Sequence, residues 1–431
     1  MKIGFVSLGC SKNLVDTEMM IGLAKNNGLE IVNNEKDADV ILINTCGFIE
    51  SAKQEAINTI LEMAEYKKNG NCKFLIVTGC LVQRYKEELQ ENLPEVDLFI
   101  TIDEYNNFGK IMQKLINKNI NSCALRYEER VLTTGSATAY LKIAEGCSNR
   151  CTYCAIPYIR GPYVSRKMED ILEEAKHLNE KGIKEVIVIA QDTTKYGIDI
   201  YGKPMLAELL KKLCEFDKFK WIRFLYAYPE SITEELVETV KNNEKICKYF
   251  DIPIQHISDT VLKRMNRKST GKQIKDLIKR IKQEIPDAIF RTSLIVGFPG
   301  ETEEDFEKLL NFVEKTKFNK LGVFEYSKED GTPAEKLKDQ IPEKVKNKRW
   351  NLIMALQQKI SEEKLKEHMG KEYEVLVEKI TDKYIIGRTK MDVPDMDGLV
   401  YIKNSKYAEI GTFLNCVITS VKEYDLIGRV I

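Results

Sequence analysis

Residues 139–154 read Ala139-Tyr140-Leu141-Lys142-Ile143-Ala144-Glu145-Gly146-Cys147-Ser148-Asn149-Arg150-Cys151-Thr152-Tyr153-Cys154. The apolar run over 139–144 has strand character, Gly146 supplies a turn, and three cysteines follow with the spacing C-x3-C-x2-C. Three closely spaced thiolates can hold three irons of a 4Fe–4S cluster, which leaves the fourth iron without a ligand from that loop. An iron open in this way can bind a substrate or cofactor. The plainer alternatives are a zinc knuckle, which normally takes four protein ligands, or three buried thiols.

What surrounds this stretch is repetitive. Before it, strand patterns at 3–7, 39–44, 74–78 and 98–101 alternate with helical patterns at 14–25, 51–66 and 83–91. Such alternation predicts right-handed crossovers and a parallel sheet, so residues 1–132 read as a doubly wound α/β domain. A linker is expected over 128–138. After it, strands are expected at 139–144, 185–190, 222–227, 250–254, 290–296 and 321–326, with helices between them such as 168–181, 205–216 and 303–315. Six strand–helix units predict a partial (βα)6 barrel. With a long charged helix from Pro342, which Gly370 could terminate, this second domain covers 133–366. The tail, 367–431, changes to short strands at 373–380, 384–389, 399–402 and 413–420, with turns at Asp397-Gly398 and Ile410-Gly411. It reads as a small all-β barrel of the OB-like kind. No internal repeat is evident.

A second cysteine pattern lies in the first domain. Cys10, Cys46 and Cys80 each follow a strand and each sits beside a glycine: Gly9, Gly47 and Gly79. In an open parallel sheet the C-terminal strand ends share one edge, where ligands bind. Three cysteines distant in sequence can therefore meet there as a second iron–sulfur site. The alternative is three independent core cysteines. Cys72, Cys123, Cys214, Cys247 and Cys416 share no such pattern and read as structural.

Composition supports a soluble globular chain. Of 431 residues, 43% are hydrophobic and 31% charged, with 66 Lys+Arg against 66 Asp+Glu; disorder, collagen and coiled coil are excluded. Neutral balance argues against a general polyanion binder. No apolar run approaches the roughly 20 residues of a spanning helix. The N-terminus reads as a strand rather than a signal peptide, so a cytoplasmic protein with no membrane partner is expected. Eleven cysteines, an odd count, make a poor disulfide framework, and only three histidines leave sulfur as the main metal donor.

With these residues in view, the chain resembles the radical S-adenosylmethionine superfamily, and within it the methylthiotransferases, whose β-rich tail is called a TRAM domain. The resemblance covers the whole chain. Four strings are similar to the branch that modifies a ribosomal protein: Ser7-Leu8-Gly9-Cys10-Ser11-Lys12-Asn13, Cys46-Gly47-Phe48-Ile49-Glu50-Ser51, Gln191-Asp192-Thr193-Thr194 and Ile252-Pro253-Ile254-Gln255-His256. The transfer-RNA branch typically differs at Gln191-Asp192 and Gln255-His256.

The resemblance implies two 4Fe–4S clusters. One, on Cys147, Cys151 and Cys154, would bind the amino and carboxylate groups of S-adenosylmethionine and cleave it to a 5′-deoxyadenosyl radical. The other, on Cys10, Cys46 and Cys80, would deliver sulfur, and another S-adenosylmethionine the methyl group. The implied product is a 3-methylthio-aspartate on the twelfth small-subunit ribosomal protein, modified either free or within the ribosomal subunit. An electron donor such as flavodoxin or ferredoxin, and a sulfur donor, are the implied further partners.

Four other residues are candidate cofactor contacts. Tyr153 resembles the aromatic position near the adenine, with local packing as the alternative. Ile295 lies on a strand with a Gly-rich exit, Gly297 to Gly300, and is a candidate apolar contact. Gln191 and Gln255 end barrel strands, where they face the site. His256 is either a neighbour of that site or a core histidine. The chain reads Ala190-Gln191-Asp192 where the superfamily commonly has Gly-Gly-Glu.

The tail holds nine Lys+Arg against eleven Asp+Glu, whereas nucleic-acid modules are usually basic. Asp392, Asp395 and Asp397 crowd one loop, which suits a basic protein partner or is simply a solvated turn; a patch of Lys403 and Lys406 would suit RNA. The competing functions are a transfer-RNA methylthiotransferase and an iron–sulfur electron carrier with an RNA-binding tail.

Overall fold

The computed structural model describes residues 1–117, 120, 124–403 and 408–431; Cys123 and Lys406 lie outside the described residues. Strands Lys2–Ser7 (β1), Glu30–Val32 (β2), Val40–Thr45 (β3), Phe74–Gly79 (β4) and Leu98–Ile100 (β5) form one parallel sheet in the order β2-β1-β3-β4-β5. Every residue of β3 is buried, as a central strand covered on both faces requires. Helices Ser11–Asn26 and Phe108–Ile116 pack on one face through Met20, Leu23, Phe108 and Met112. Helices Glu50–Ala64 and Cys80–Asn92 cover the other through Ala56, Ile60, Leu81 and Val82. Chain direction across the sheet reverses between β1 and β3, and ligands of doubly wound sheets bind at that switch. Cys10 and Cys46 follow these two strands.

The stretch expected to be a linker is anchored instead. Arg130 is 2% exposed; it pairs with Glu18, which also accepts from the Thr133 backbone N–H at 2.7 Å. A buried guanidinium requires such a partner, so this segment is fastened to the helix Ser11–Asn26.

Strands Thr138–Lys142 (β6), the short ribbon Ala144–Glu145 (β7) with Val164–Ser165 (β8), then Glu185–Ile189 (β9), Trp221–Phe224 (β10), Tyr249–Asp251 (β11), Ile289–Val296 (β12) and Lys320–Glu325 (β13) build the second domain. Two parallel three-stranded sheets, β6-β9-β10 and β11-β12-β13, are joined by the Ile222–Ile246 bridge and by the Ala227 N–H donating to Asp251 O at 2.9 Å. Among the described residues β6 does not pair with β13, so the six-stranded barrel stays open. β10 and β11 stop earlier than the sequence suggests. Tyr226 turns to φ 61°, and Pro253 offers no N–H to a ladder.

Helix Glu343–Lys366 lies against β13 through Trp350, whose indole N–H donates to Val323 O at 3.0 Å. Beyond it, Glu372–Ile380 (β14), Tyr384–Arg388 (β15), Val400–Lys403 (β16), Phe413–Val421 (β17) and Leu426–Val430 (β18) close a barrel in the order β14-β15-β16-β18-β17. The last strand, with Gly428 at its centre, carried no clear strand pattern in the sequence.

The acidic loop of this tail does not face a partner as expected. Asp392 is 4% exposed and pairs with Lys320 at 2.6 Å. Asp397 accepts from the Tyr249 hydroxyl at 2.6 Å. Arg388 reaches Glu185 at 2.6 Å. Glu185, Tyr249 and Lys320 each open a barrel strand, so the tail seals the N-terminal end of the barrel, away from the cysteine loop. Half-buried Lys320 and fully buried Tyr249 need these acceptors, and of the three aspartates only Asp395 stays exposed.

Candidate active site

The three first-domain cysteines occupy equivalent places. Cys10 is the N-cap of helix Ser11–Asn26, Cys46 follows β3, and Cys80 is the first residue of helix Cys80–Asn92. Helix N-termini favour thiolates. Their thiols are electrostatic neighbours: Cys80 senses both Cys10 and Cys46. Gly9 makes that possible. It sits at φ 86°, and a Cβ there would lie 2.7 Å from the Cys46 Cβ. Gly79, at φ 100°, is held against Asn44 and Thr45 in the same way. Of the three, Cys10 is exposed, Cys46 half-buried and Cys80 buried.

Their protonation differs. Burial would raise Cys10, but Lys12, Arg160 and the N–H groups of Asn13 and Lys12 hold it below the usual thiol range. Burial pushes Cys46 up and Cys80 up to about 12, against the pull of Arg160. Metal binding requires deprotonated thiols and releases their protons.

Cys147 follows β7, its N–H donating to Gly161 O at 3.1 Å; the Cys154 N–H donates to Cys151 O at 3.1 Å, folding the loop on itself. Burial raises Cys147 and Cys154, with Cys151 adding to each. Among the described residues no three His, Cys, Asp or Glu side chains converge on a point suited to one metal ion.

Tyr153 and Ile295 pack against one apolar group with Met265, Phe298 and Tyr326, so both border the same wall. Gln191 donates to Glu145 Oε1 at 3.2 Å, while its own Oε1 is buried without a partner. Gln255 holds φ 68°, a left-handed conformation uncommon outside glycine and worth inspection at a site. His256 points elsewhere: it is fully buried, its Nδ1 accepts from the Ser258 N–H at 3.0 Å, and its Nε2 lies 4.0 Å from Glu301. Asp192, also fully buried, accepts from Asn149 at 2.9 Å and Thr194 at 2.6 Å.

Between the two cysteine sets stands a group the sequence reading missed. Arg160 is 7% exposed. It donates to both Glu145 oxygens at 3.0 Å and to Asp16 at 2.9 Å, and also to Asn13 Oδ1. Asn13 Oδ1 in turn lies 3.5 Å from the Cys80 sulfur. Lys142 pairs with Asp16 and with Glu145. Cys80 packs directly on Ala155 and Ile159, the residues that follow Cys154. The first-domain set thus packs, through Cys80, on the segment that follows the cysteine loop. Nothing in the local sequence marks Arg160, because its partners come from distant segments. Arg267, 8% exposed with Nε and Nη1 unpartnered, was likewise missed; it stacks on Tyr228 at 4.3 Å.

Comparison with known proteins fits this arrangement. Three family descriptions match: "Uncharacterized protein family UPF0004" over residues 2–101, "Radical SAM superfamily" over 141–313 and "TRAM domain" over 369–431. The protein titled ribosomal protein uS12 methylthiotransferase RimO from Alkaliphilus oremlandii (strain OhILAs) is 62% identical over 433 residues, covering 100% of this chain and 99% of that one. Its counterpart of the same title from Clostridioides difficile (strain 630) is 53% identical over 439 residues, covering 100% and 99%. The chain belongs to the RimO family. Among solved structures, the radical S-adenosylmethionine methyltransferase TsrM from Kitasatospora setae has a TM-score of 0.56 at 12% identity, covering 83% of this chain and 89% of that one. OxsB, a cobalamin-dependent S-adenosylmethionine radical enzyme, reaches 0.53 at 15%, covering 82% and 56%; at such identities the likeness is one of fold. As a RimO-family radical enzyme the chain is a methylthiotransferase, and its superfamily uses a 4Fe–4S cluster with S-adenosylmethionine. No described helix is long and apolar enough to cross a membrane.

Proposed function

We propose that this chain methylthiolates the β-carbon of an aspartate on the small-subunit ribosomal protein uS12, the substrate in its relatives' titles. Cys147, Cys151 and Cys154 would hold the cluster that binds S-adenosylmethionine, and Cys10, Cys46 and Cys80 a second 4Fe–4S cluster supplying sulfur. When bound, the first cluster supplies the electron that cleaves S-adenosylmethionine, giving a radical able to take hydrogen from an unactivated carbon. Tyr153 and Ile295 would form the apolar wall for the adenosine, and Gln191 and Gln255 the polar contacts at strand ends. Residues 1–132 form the sulfur-donating unit, 133–366 the radical unit, and 367–431 a TRAM unit that contributes to substrate binding. An electron donor of the flavodoxin or ferredoxin type and a sulfur donor complete the reaction in the cytoplasm.

The observation that supports this reading is the packing of Cys80, beside Arg160 and Asn13, on Ala155 and Ile159, just after the cysteine loop. One substrate carbon must lose hydrogen at one site and gain sulfur from the other, and proximity supplies much of such a rate. The test separates the halves. Cys151→Ala should abolish formation of 5′-deoxyadenosine. Cys46→Ala should leave that cleavage intact while no methylthio mass appears on uS12. Loss of cleavage in both variants, or methylthio mass appearing on transfer RNA with uS12 unchanged, would contradict it.

A further inference from the structure

Lys12 is the cation of the interdomain cleft with no carboxylate of its own. It is 7% exposed, and none of the described carboxylates lies within 4.0 Å of its ammonium. The nearby acids are already engaged: Asp16 by Arg160 and Lys142, and Glu145 by the same two groups. Three cations, Lys12, Lys142 and Arg160, thus face two carboxylates. The groups beside Lys12 are the Tyr226 side chain, the Cys10 thiol and Arg160, so a buried ammonium here has room for a carboxylate partner that the chain itself does not supply.

Its position says where that anion would be. The Lys12 side chain leaves the first turn of helix Ser11–Asn26, two residues beyond Cys10, and places Nζ 3.4 Å from the centroid of the Tyr226 ring. Tyr226 lies just past the C-terminal end of β10, on the mouth of the radical domain. There it takes the left-handed backbone conformation, and its carbonyl accepts from the Thr193 N–H at 3.2 Å. A cation that no described carboxylate holds therefore stands at the end of β10, beside the first-domain cysteine Cys10. An acidic side chain reaching that place would supply the missing carboxylate.

We infer that Lys12 is the receptor for the side-chain carboxylate of the target residue, with Tyr226 as its platform. The inference rests on the proposed protein substrate and adds how that substrate is recognised. It gives the site a reason to select an acidic side chain over a neutral one of equal size. The β-carbon of an aspartate lies one bond from its carboxylate carbon, so fixing the carboxylate at Lys12 fixes the reacting carbon between the cysteine sets. The thiols Cys10, Cys46 and Cys80 and the guanidinium of Arg160 are the other charged or ionisable groups near this ammonium. A cluster on those thiols is the competing counter-charge, and the experiment is built to tell the two apart.

The experiment measures dissociation constants of anaerobically reconstituted full-length protein for three peptides spanning the uS12 target: one with the natural aspartate, one with asparagine and one with alanine there. Iron and sulfide are counted in each sample. Wild type should bind the aspartate peptide about tenfold or more tightly than the asparagine peptide, since one charge-assisted contact is worth at least about 1.4 kcal/mol. Lys12→Gln should bring the two constants together with iron and sulfide unchanged, and Lys12→Arg should keep most of the preference. The inference is overturned if Lys12→Gln keeps the wild-type preference. It is equally overturned if that variant weakens all three peptides alike, or loses iron and sulfide along with the preference, since Lys12 would then serve the cluster. Wild type that binds without preferring aspartate overturns it too. Wild type that neither binds nor modifies any of the three contradicts the protein-substrate reading itself, and the carboxylate receptor falls with it.

Discussion

Arg160 concentrates the electrostatics of the cleft in one side chain. Its partners Asp16 and Glu145 come from two domains, and burial of the guanidinium is tolerated because both carboxylates and Asn13 receive it. Arg160→Met should destabilise the fold by about 1–3 kcal/mol, because Asn13 Oδ1 and the two acids each lose a buried donor while Lys142 still pairs with Asp16 and Glu145. Chemical denaturation checks this, and a loss below about 1 kcal/mol would place the pair in the class of exposed ion pairs. A second residue-scale effect is the pair His256 and Glu301. Burial lowers His256 to about 3 from 6.5 and raises Glu301 to about 7 from 4.5. For His256 the unfolded chain binds the proton below pH 6.5 and the native one does not, so stability falls as pH drops from 6.5 towards 3. For Glu301 the native chain keeps a proton that the unfolded chain releases, so stability falls as pH rises from 4.5 to about 7. Between pH 4.5 and 6.5 these opposed slopes, each about 1.4 kcal/mol per pH unit, cancel. Glu301→Gln should unmask the His256 slope, visible as stability that climbs with pH in that interval; an unchanged profile would refute the assignment.

At the scale of elements, the turn after each first-domain strand decides whether three thiols meet. Gly9→Ala would force a side chain to φ 86° and to 2.7 Å from the Cys46 Cβ. It should cost about 1–3 kcal/mol from backbone strain alone and release iron from the Cys10 set while the Cys147 set keeps its own. Equal loss from both sets would mean that the turn does not act locally. These turns were legible in the sequence because a cysteine with a glycine beside it follows an apolar run in all three cases. The barrel strands were legible from their own patterns: β9 reads Glu-Val-Ile-Val-Ile, and β12 alternates, burying Phe290, Thr292, Leu294 and Val296. Short β2 was not, since three residues cannot display a period, and β18 was not, since glycine at its centre hides the alternation. The linker expectation failed at Arg130, whose role depends on Glu18, 112 positions away.

At the scale of the whole molecule, the tail is a fixed part of the structure. Arg388 and Arg223, both fully buried, share Glu185 at the opening of β9, and Trp221 packs edge-on against Phe413 at 5.0 Å. Removing residues 367–431 would uncover Glu185, Tyr249 and Lys320 together. The truncated chain should therefore lose cooperative unfolding or aggregate, as followed by calorimetry; a shortened chain melting like the full one would contradict this. The charge pattern of the tail misled at this level, because composition does not say which aspartates turn inward. A cysteine loop of eight residues can be read from its spacing alone, whereas a charged loop takes its geometry from what it packs on.

The central claim is that six cysteines form two separate iron–sulfur sites, and Mössbauer spectroscopy with iron and sulfide counts on anaerobically purified chain tests it most directly. Wild type should hold about eight irons per chain, and replacing either Cys10, Cys46 and Cys80 or Cys147, Cys151 and Cys154 by alanine should leave about four, each remaining set with the signature of a 4Fe–4S cluster. About four irons in wild type, or zinc in place of iron at either set, would contradict the account.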